Sequence, residues 1–252
     1  MGKRISAFLF DVIIWFTLVV GLAWAIFAIA DYDKYANGYQ ELKEKYITEY
    51  ETDYGIELDI TEEEREALSS EERERYNEAT AAANKAFGKD AEAAYNYGMM
   101  INVLMVTLSL SILISYLVLE FAIPLFLGNG QTLGKKIFGV AVMYTSGIKL
   151  NAVGLFVRTV LGKYAVETMV PIMIALLVLL GSMGIVGIIV LALLAVFELG
   201  LIILNKTRPL LHDALAMTVT VDMASQMIFD SNEQLIEYKK KVHAEAANKK
   251  DY

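Results

Sequence analysis

RISAFLFDVIIWFTLVVGLAWAIFAIA, the stretch from Arg4 to Ala30, decides the fold. At about 1.5 Å per residue a helix of this length exceeds the roughly 30 Å hydrocarbon core of a bilayer, so the stretch predicts a membrane-spanning helix. Its one acidic side chain, Asp11, sits two helical turns after Arg4 and on the same face. A carboxylate at that depth costs about 2.5 to 3.5 kcal/mol on insertion scales unless protein, water or a counter-charge receives it. A partner elsewhere in the chain is therefore required.

The chain has 252 residues, of which 56% are hydrophobic and 21% charged, so its charge must be segregated from its apolar runs. Residues 31–97 hold 19 acidic and 8 basic side chains, a net of -11, whereas the remainder carries +3 and restores the overall -8. There is no cysteine, which removes disulfides and thiolate chemistry. Lys3 and Arg4 precede an apolar run too long for the core of a cleavable signal peptide, and the first helix is expected to stay in the protein.

Three more apolar segments follow. Gly98 to Leu127 is long enough to span, and Val153 to Leu204 is long enough for two spans if it turns at Gly181 to Gly184. With four spans the basic residues Lys3, Arg4, Lys135, Lys136, Lys149, Lys206, Arg208 and Lys239 to Lys241 fall on one side, which the positive-inside rule makes cytoplasmic. Both termini are then cytoplasmic, in a multi-pass protein of the cell membrane. The sequence divides into a first membrane helix over 1–30, an extracytoplasmic insertion over 31–97, a second helix over 98–127, a cytoplasmic β-hairpin segment over 128–152, helices three and four over 153–204, and a cytoplasmic strand with a C-terminal helix over 205–252.

The insertion reads as helical. Tyr35, Tyr39, Leu42, Tyr46 and Tyr50 recur at helical steps, and Thr61 with Glu64 and Ser69 with Glu72 are capping-box pairs. The expectation is a small, acidic, all-helical cap whose tyrosines pack its helices together. The residues around Asp53, Glu57 and Asp59 lack the glycine position of an EF-hand loop.

After the second helix the chain reads QTLGKKIFGVAVMYTSGIKL, β-branched and aliphatic with a turn at Thr145 to Gly147, and a second such run spans Ala216 to Asp222. The two runs are expected to pair into a small sheet. Ser231 to His243 starts like a capped helix with Leu235, Tyr238 and Val242 on one face, and the residues beyond it are expected to fray.

These residues resemble the RDD family of membrane proteins. The likeness lies in Arg4 and Asp11 opening the first helix, Gln131-Thr132-Leu133-Gly134-Lys135-Lys136 after the second, and Leu211-His212-Asp213 followed by Ala216, Thr218 and Val221. Carried onto this chain, the family's arginine is Arg4 and its two aspartates are Asp11 and Asp213. The resemblance implies a membrane protein of largely unassigned role, with transport the usual suggestion and cation/proton exchange known for some members. Residues 31–97 are longer and more polar than the family usually has there.

The spans also place three carboxylates at one depth. Asp11, Glu120 and Glu198 each lie about 9 to 10 Å inside the cytoplasmic boundary of their helices. Arg158 lies near the start of helix three, Lys163 and Glu167 are spaced as an i,i+4 ion pair, and Pro124 and Pro171 free backbone carbonyls close to the same layer. One reading makes Asp11, Glu120 and Glu198 a polar cavity that exchanges a proton for a monovalent cation. Another makes them structural, with Arg4, Arg158, Lys163, Glu167 and Asp213 as charge partners in a membrane scaffold or partner-docking protein. A third gives the layer to a lipid headgroup or partner helix. Arg4 is expected to meet Asp213, and Arg158 to meet Asp11.

Enzyme chemistry is not supported. The two histidines, His212 and His243, are too few for a metal cluster, no cofactor motif precedes a helix after a strand, and the only sizeable polar region is acidic, which argues against nucleic acid. The expected surroundings are the lipid bilayer, a monovalent cation or proton, and further copies of the chain, which the glycines of helix four would let approach closely.

Overall fold

The computed structural model describes residues 2–204 and 209–248. Lys206 and Arg208, and the last four residues of the tail expected to fray, lie outside the described residues. Among the described residues ten helices and two strands follow in the order α1 Gly2–Ile29, α2 Tyr32–Tyr54, α3 Glu62–Ala67, α4 Ser70–Phe87, α5 Ala91–Leu127, α6 Leu133–Ile137, β1 Val140–Tyr144, α7 Ala152–Leu179, α8 Gly184–Leu204, α9 Leu211–Leu215, β2 Thr218–Asp222 and α10 Asn232–Asn248. The helices α1, α5, α7 and α8 are long and apolar enough to cross a membrane. The chain forms two compact units, one of residues 22–108 and one of residues 1–21 with 109–252.

In the unit of residues 22–108, α2 packs against α4 through aromatic rings. Tyr39 and Tyr46 meet Phe87 with centroids 5.2 and 5.9 Å apart, and Ala79 and Ala83 of α4 are buried. Thr61 and Ser69 form complete capping boxes with Glu64 and Glu72, which satisfy the first backbone donors of α3 and α4. Asp90 does the same for α5, accepting from the N–H groups of Glu92 and Ala93 at 2.8 Å. That cap starts α5 at Ala91, seven residues before the apolar run that marks it in the sequence.

The other unit carries the sheet. β1 and β2 pair antiparallel with Val140 opposite Asp222 and Tyr144 opposite Thr218. Ala141, Met143 and Val221 pack on one face and Val142, Leu150 and Leu155 on the other, the alternation a pleated strand imposes. The turn at Thr145 to Gly147 brings Lys149 back beside Met143. Residues 133–137, of strand type in the sequence, form a helix instead, because Thr132 caps it by accepting from the Lys135 N–H at 3.3 Å. Gly187 of α8 packs against Val178 and Ile174 of α7, so the hairpin between them consumes that glycine.

A repeat organises this unit. α9 and β2 stand 78 residues after α6 and β1 at both ends, and the positive-φ residues Gly139 and Met217 that join helix to strand are also 78 apart. The central pair of the sheet, Val142 opposite Thr220, has the same spacing, so each strand meets its own counterpart. Two long helices precede each short helix and strand. The short helix, its left-handed junction and the strand thus recur with one spacing, each after a pair of long helices of this unit.

Two of the long helices widen from α to π turns, α5 over Leu117–Ala122 and α7 over Val157–Met169. Each wide segment lies just before a proline, Pro124 or Pro171. Proline has no N–H for the carbonyl four residues earlier and its ring crowds that carbonyl, which favours an opened turn. For Pro124 that carbonyl belongs to Glu120, and the Thr159 hydroxyl donates to it at 3.0 Å. The freed carbonyl is thus used inside the protein.

Candidate functional site

Asp11 of α1 is held by the helix that follows α5. Its Oδ1 accepts from the Gly134 N–H at 2.8 Å and its Oδ2 accepts from the Thr132 hydroxyl. A carboxylate at the open N-terminal donors of a helix is in a favourable place. Residue 134 must be glycine for this approach, since a Cβ there would fall on the Ala7 carbonyl and about 3 Å from the Asp11 carboxyl carbon. The QTLGKK stretch is the receptor for Asp11.

The second repeat builds the same clasp with other residues. Glu167 of α7 accepts from the His212 N–H at the start of α9, at 2.6 Å. Here the glycine lies on the long helix, because a Cβ on Gly162 would stand 2.6 Å from the His212 Cβ. Arg158 donates from Nη2 to His212 Nε2 at 2.9 Å, so this nitrogen is the acceptor, and Nδ1–H donates to Glu167 Oε2 at 2.7 Å. The imidazole is neutral and its tautomer is set by its neighbours. Burial, with Arg158, Lys163 and Lys135 adding to it, holds His212 well below the ordinary 6.5. Arg158 Nη1 also donates to Asp213 Oδ1 at 2.7 Å, and the Thr218 hydroxyl completes that oxygen at 2.7 Å.

Between the two clasps lie Glu120, Lys135 and Lys163. Lys163 pairs with Glu120 at 2.7 Å, and the Lys135 ammonium stands 3.9 Å from Glu120 Oε2 and 3.9 Å from Asp11 Oδ2. Burial brings Lys135 down to about 8, with Lys163 and Arg158 lowering it further and Glu120 and Asp11 opposing. A void of about 10 Å³ lies against Asp11, Glu120, Thr132 and Trp15, close to the space one water needs. Trp15 Nε1, buried there, has no hydrogen-bond partner among the described residues. A larger chamber of about 1180 Å³ connects Asp11, Glu120, Lys135, Lys163 and the second clasp to the head of α1.

The structure corrects several sequence expectations. Asp213 is bound by Arg158 and not by Arg4, and Asp11 is bound by Thr132, Gly134 and Lys135 and not by Arg158. Arg4 is exposed, lines the chamber, and makes no ion pair among the described residues. Asp11 and Glu120 do converge, through Lys135, whereas Glu198 is half-buried and has no hydrogen bond or ion pair with a described residue. Lys163 and Glu167 do not pair, because Glu120 takes the ammonium and the start of α9 takes the carboxylate. The widened turns explain why Arg158 and Glu167 meet one histidine. At about 100° per residue in an α-helix nine residues put two side chains on opposite faces, but at about 4.4 residues per π turn they return to the same one.

Sequence reasoning did not count Lys135, Thr132 or Trp15 as members of this site. Lys135 was visible as the first of the two lysines of QTLGKK, but its burial depends on the clasp that positions the short helix. Among the described residues no group of three or more histidine and carboxylate side chains is placed to hold a metal ion. A family model described as the RDD family matches residues 1–217 of the chain. No curated protein and no solved structure matches it.

Proposed function

Since the chain belongs to the RDD family of membrane proteins, we propose that it is a multi-pass protein of the cell membrane that exchanges a proton for a monovalent cation between Asp11 and Glu120. The placement of Lys135 carries this reading. Its ammonium occupies the position a small cation would take, 3.9 Å from one oxygen of each carboxylate. With Lys135 protonated the trio carries a net charge of -1. When Lys135 releases its proton a monovalent cation restores the same charge, so the exchange is neutral at the site. Burial that brings Lys135 to about 8 sets this release within reach of cellular pH. The chamber opens Asp11, Glu120 and Lys135 toward the head of α1, and Lys163, 2.7 Å from Glu120, is the counter-charge that the exchange leaves in place.

In the proposed orientation the termini and the sheet are cytoplasmic and the acidic helices α2 to α4 lie outside. Trp15, against the void, is the reporter for a direct test. Titration of the purified protein with sodium, potassium or lithium is expected to change Trp15 fluorescence, at lower cation concentration as pH rises past 8. The Trp24→Phe background isolates the signal. A response that is absent at every pH, or that does not strengthen with pH, overturns the exchange reading.

A second reading, a membrane scaffold or partner-docking protein, is favoured by a different observation. Both oxygens of Asp11 are already hydrogen-bonded by the clasp, and so are both oxygens of Glu167. In that reading the charges fasten the two repeats to their helices and move nothing.

A further inference from the structure

A cation site needs little more than the void beside Asp11, yet the chamber in front of it holds about 1180 Å³, beyond the roughly 300 to 1,000 Å³ typical of pockets for organic ligands. Its chemistry is divided. Ile5, Phe8 and Val12, spaced along one face of α1, give it an apolar wall, and Ile202 of α8 adds to the apolar lining. At the head of this wall stands Arg4. The other four cations that line the chamber each have a carboxylate: Lys3 has Asp222 at 2.9 Å, Arg158 has Asp213, Lys163 has Glu120, and Lys135 has Asp11 and Glu120. Among the described residues Arg4 has none. An unpaired guanidinium at the mouth and about 12 Å of apolar helix from Arg4 to Val12 fit one anionic group joined to a hydrocarbon chain.

We propose that the chamber binds an anionic phospholipid, its phosphodiester held by Arg4 and an acyl chain lying along Ile5, Phe8 and Val12. The guanidinium suits two phosphate oxygens at once, which an ammonium does not. This site shares the chamber with the exchange site but uses other side chains. Arg4 touches neither Asp11 nor Glu120, and loss of one function leaves the other measurable.

The test uses the full chain in nanodiscs containing both phosphatidylglycerol and phosphatidylcholine, released into detergent, with retained lipid read by native mass spectrometry. The wild type is expected to retain phosphatidylglycerol about tenfold over phosphatidylcholine, the ratio for one charge-assisted contact. Arg4→Gln is expected to lose that preference and Arg4→Lys to keep part of it. Ile202→Trp, which narrows the chamber without touching the charge, is expected to lower retention of both lipids. Inorganic phosphate is expected to displace neither. Equal retention of the two lipids by the wild type, or an unchanged preference in Arg4→Gln, overturns the proposal. Displacement by inorganic phosphate overturns it too and assigns the arginine to a free anion.

Discussion

The backbone N–H of Gly134 donates to Asp11 across 2.8 Å, joining the first long helix to a short helix 123 residues later. This bond ties α1 to the sheet through α6. Gly134→Ala pushes a methyl group into the Ala7 carbonyl and the Asp11 carboxyl, and the overpacking is expected to cost about 1 to 3 kcal/mol. Asp11→Asn keeps the shape but loses the charge-assisted bonds, for a similar cost. Thermal unfolding of both variants in detergent checks the expectation. A Gly134→Ala protein as stable as the wild type would remove the clasp.

The second clasp should be more sensitive. Arg158 is 4% and Asp213 8% exposed, so Asp213→Asn strands a buried guanidinium at a cost on the order of 3 to 5 kcal/mol. Arg4→Gln, at an exposed position, is expected to stay within about 0.5 kcal/mol of the wild type. A double-mutant cycle separates the two arginines: Arg158 and Asp213 should couple, whereas Arg4 and Asp213 should be additive. Coupling between Arg4 and Asp213 would contradict the network.

Two buried bases predict two pH windows. Unfolded Lys135 holds its proton to about 10.5 and the folded side chain only to about 8, so the unfolded chain binds more protons between these values. Stability therefore rises with pH across that window, by on the order of 3 kcal/mol, and Lys135→Met is expected to abolish the rise. His212 acts in acid. The unfolded imidazole takes up a proton below about 6.5 while the folded one stays neutral, so stability falls as pH drops below 6.5. Unfolding midpoints collected from pH 5 to 10 read both windows. A flat profile in wild type and Lys135→Met alike would mean that Lys135 is not buried as described.

Orientation is open to a clean labelling experiment, because the chain contains no native cysteine. Tyr50→Cys and Glu72→Cys are expected to react with an impermeant maleimide added to intact cells, and Lys136→Cys and Lys240→Cys only after the membrane is opened. Labelling of Lys136→Cys from outside would reverse the proposed orientation.

Much of this architecture was legible in the residues. Hydropathy located four long helices, β-branched composition located the two runs that pair, and Thr61 and Ser69 announced the starts of α3 and α4. Helical rise suggested that Asp11 and Glu120 stand at one level of their helices, and the structure brings them to one lysine. What rise cannot give is azimuth. Glu198, placed at the same level by the same rule, has none of their partners among the described residues, and the π turns of α7 rotate Arg158 and Glu167 to one side against the α-helical rule. The spacing of Arg158, Lys163 and Glu167, five residues and then four, fits the wider turn and was the available signal. The 78-residue repeat escaped because it is carried by backbone and not by side chains: Gly134 corresponds to His212, and Lys135 to Asp213.

The central claim is that Lys135 trades its proton for a cation between Asp11 and Glu120. Proteoliposomes holding a pH-sensitive dye, challenged with inward gradients of sodium, potassium or lithium, test it most directly. The account predicts cation-dependent proton efflux for the wild type with at least one of the three ions, and no efflux for Lys135→Met that still unfolds cooperatively. Undiminished efflux in Lys135→Met, or a folded wild type that moves no protons with any of the three cations, would contradict it.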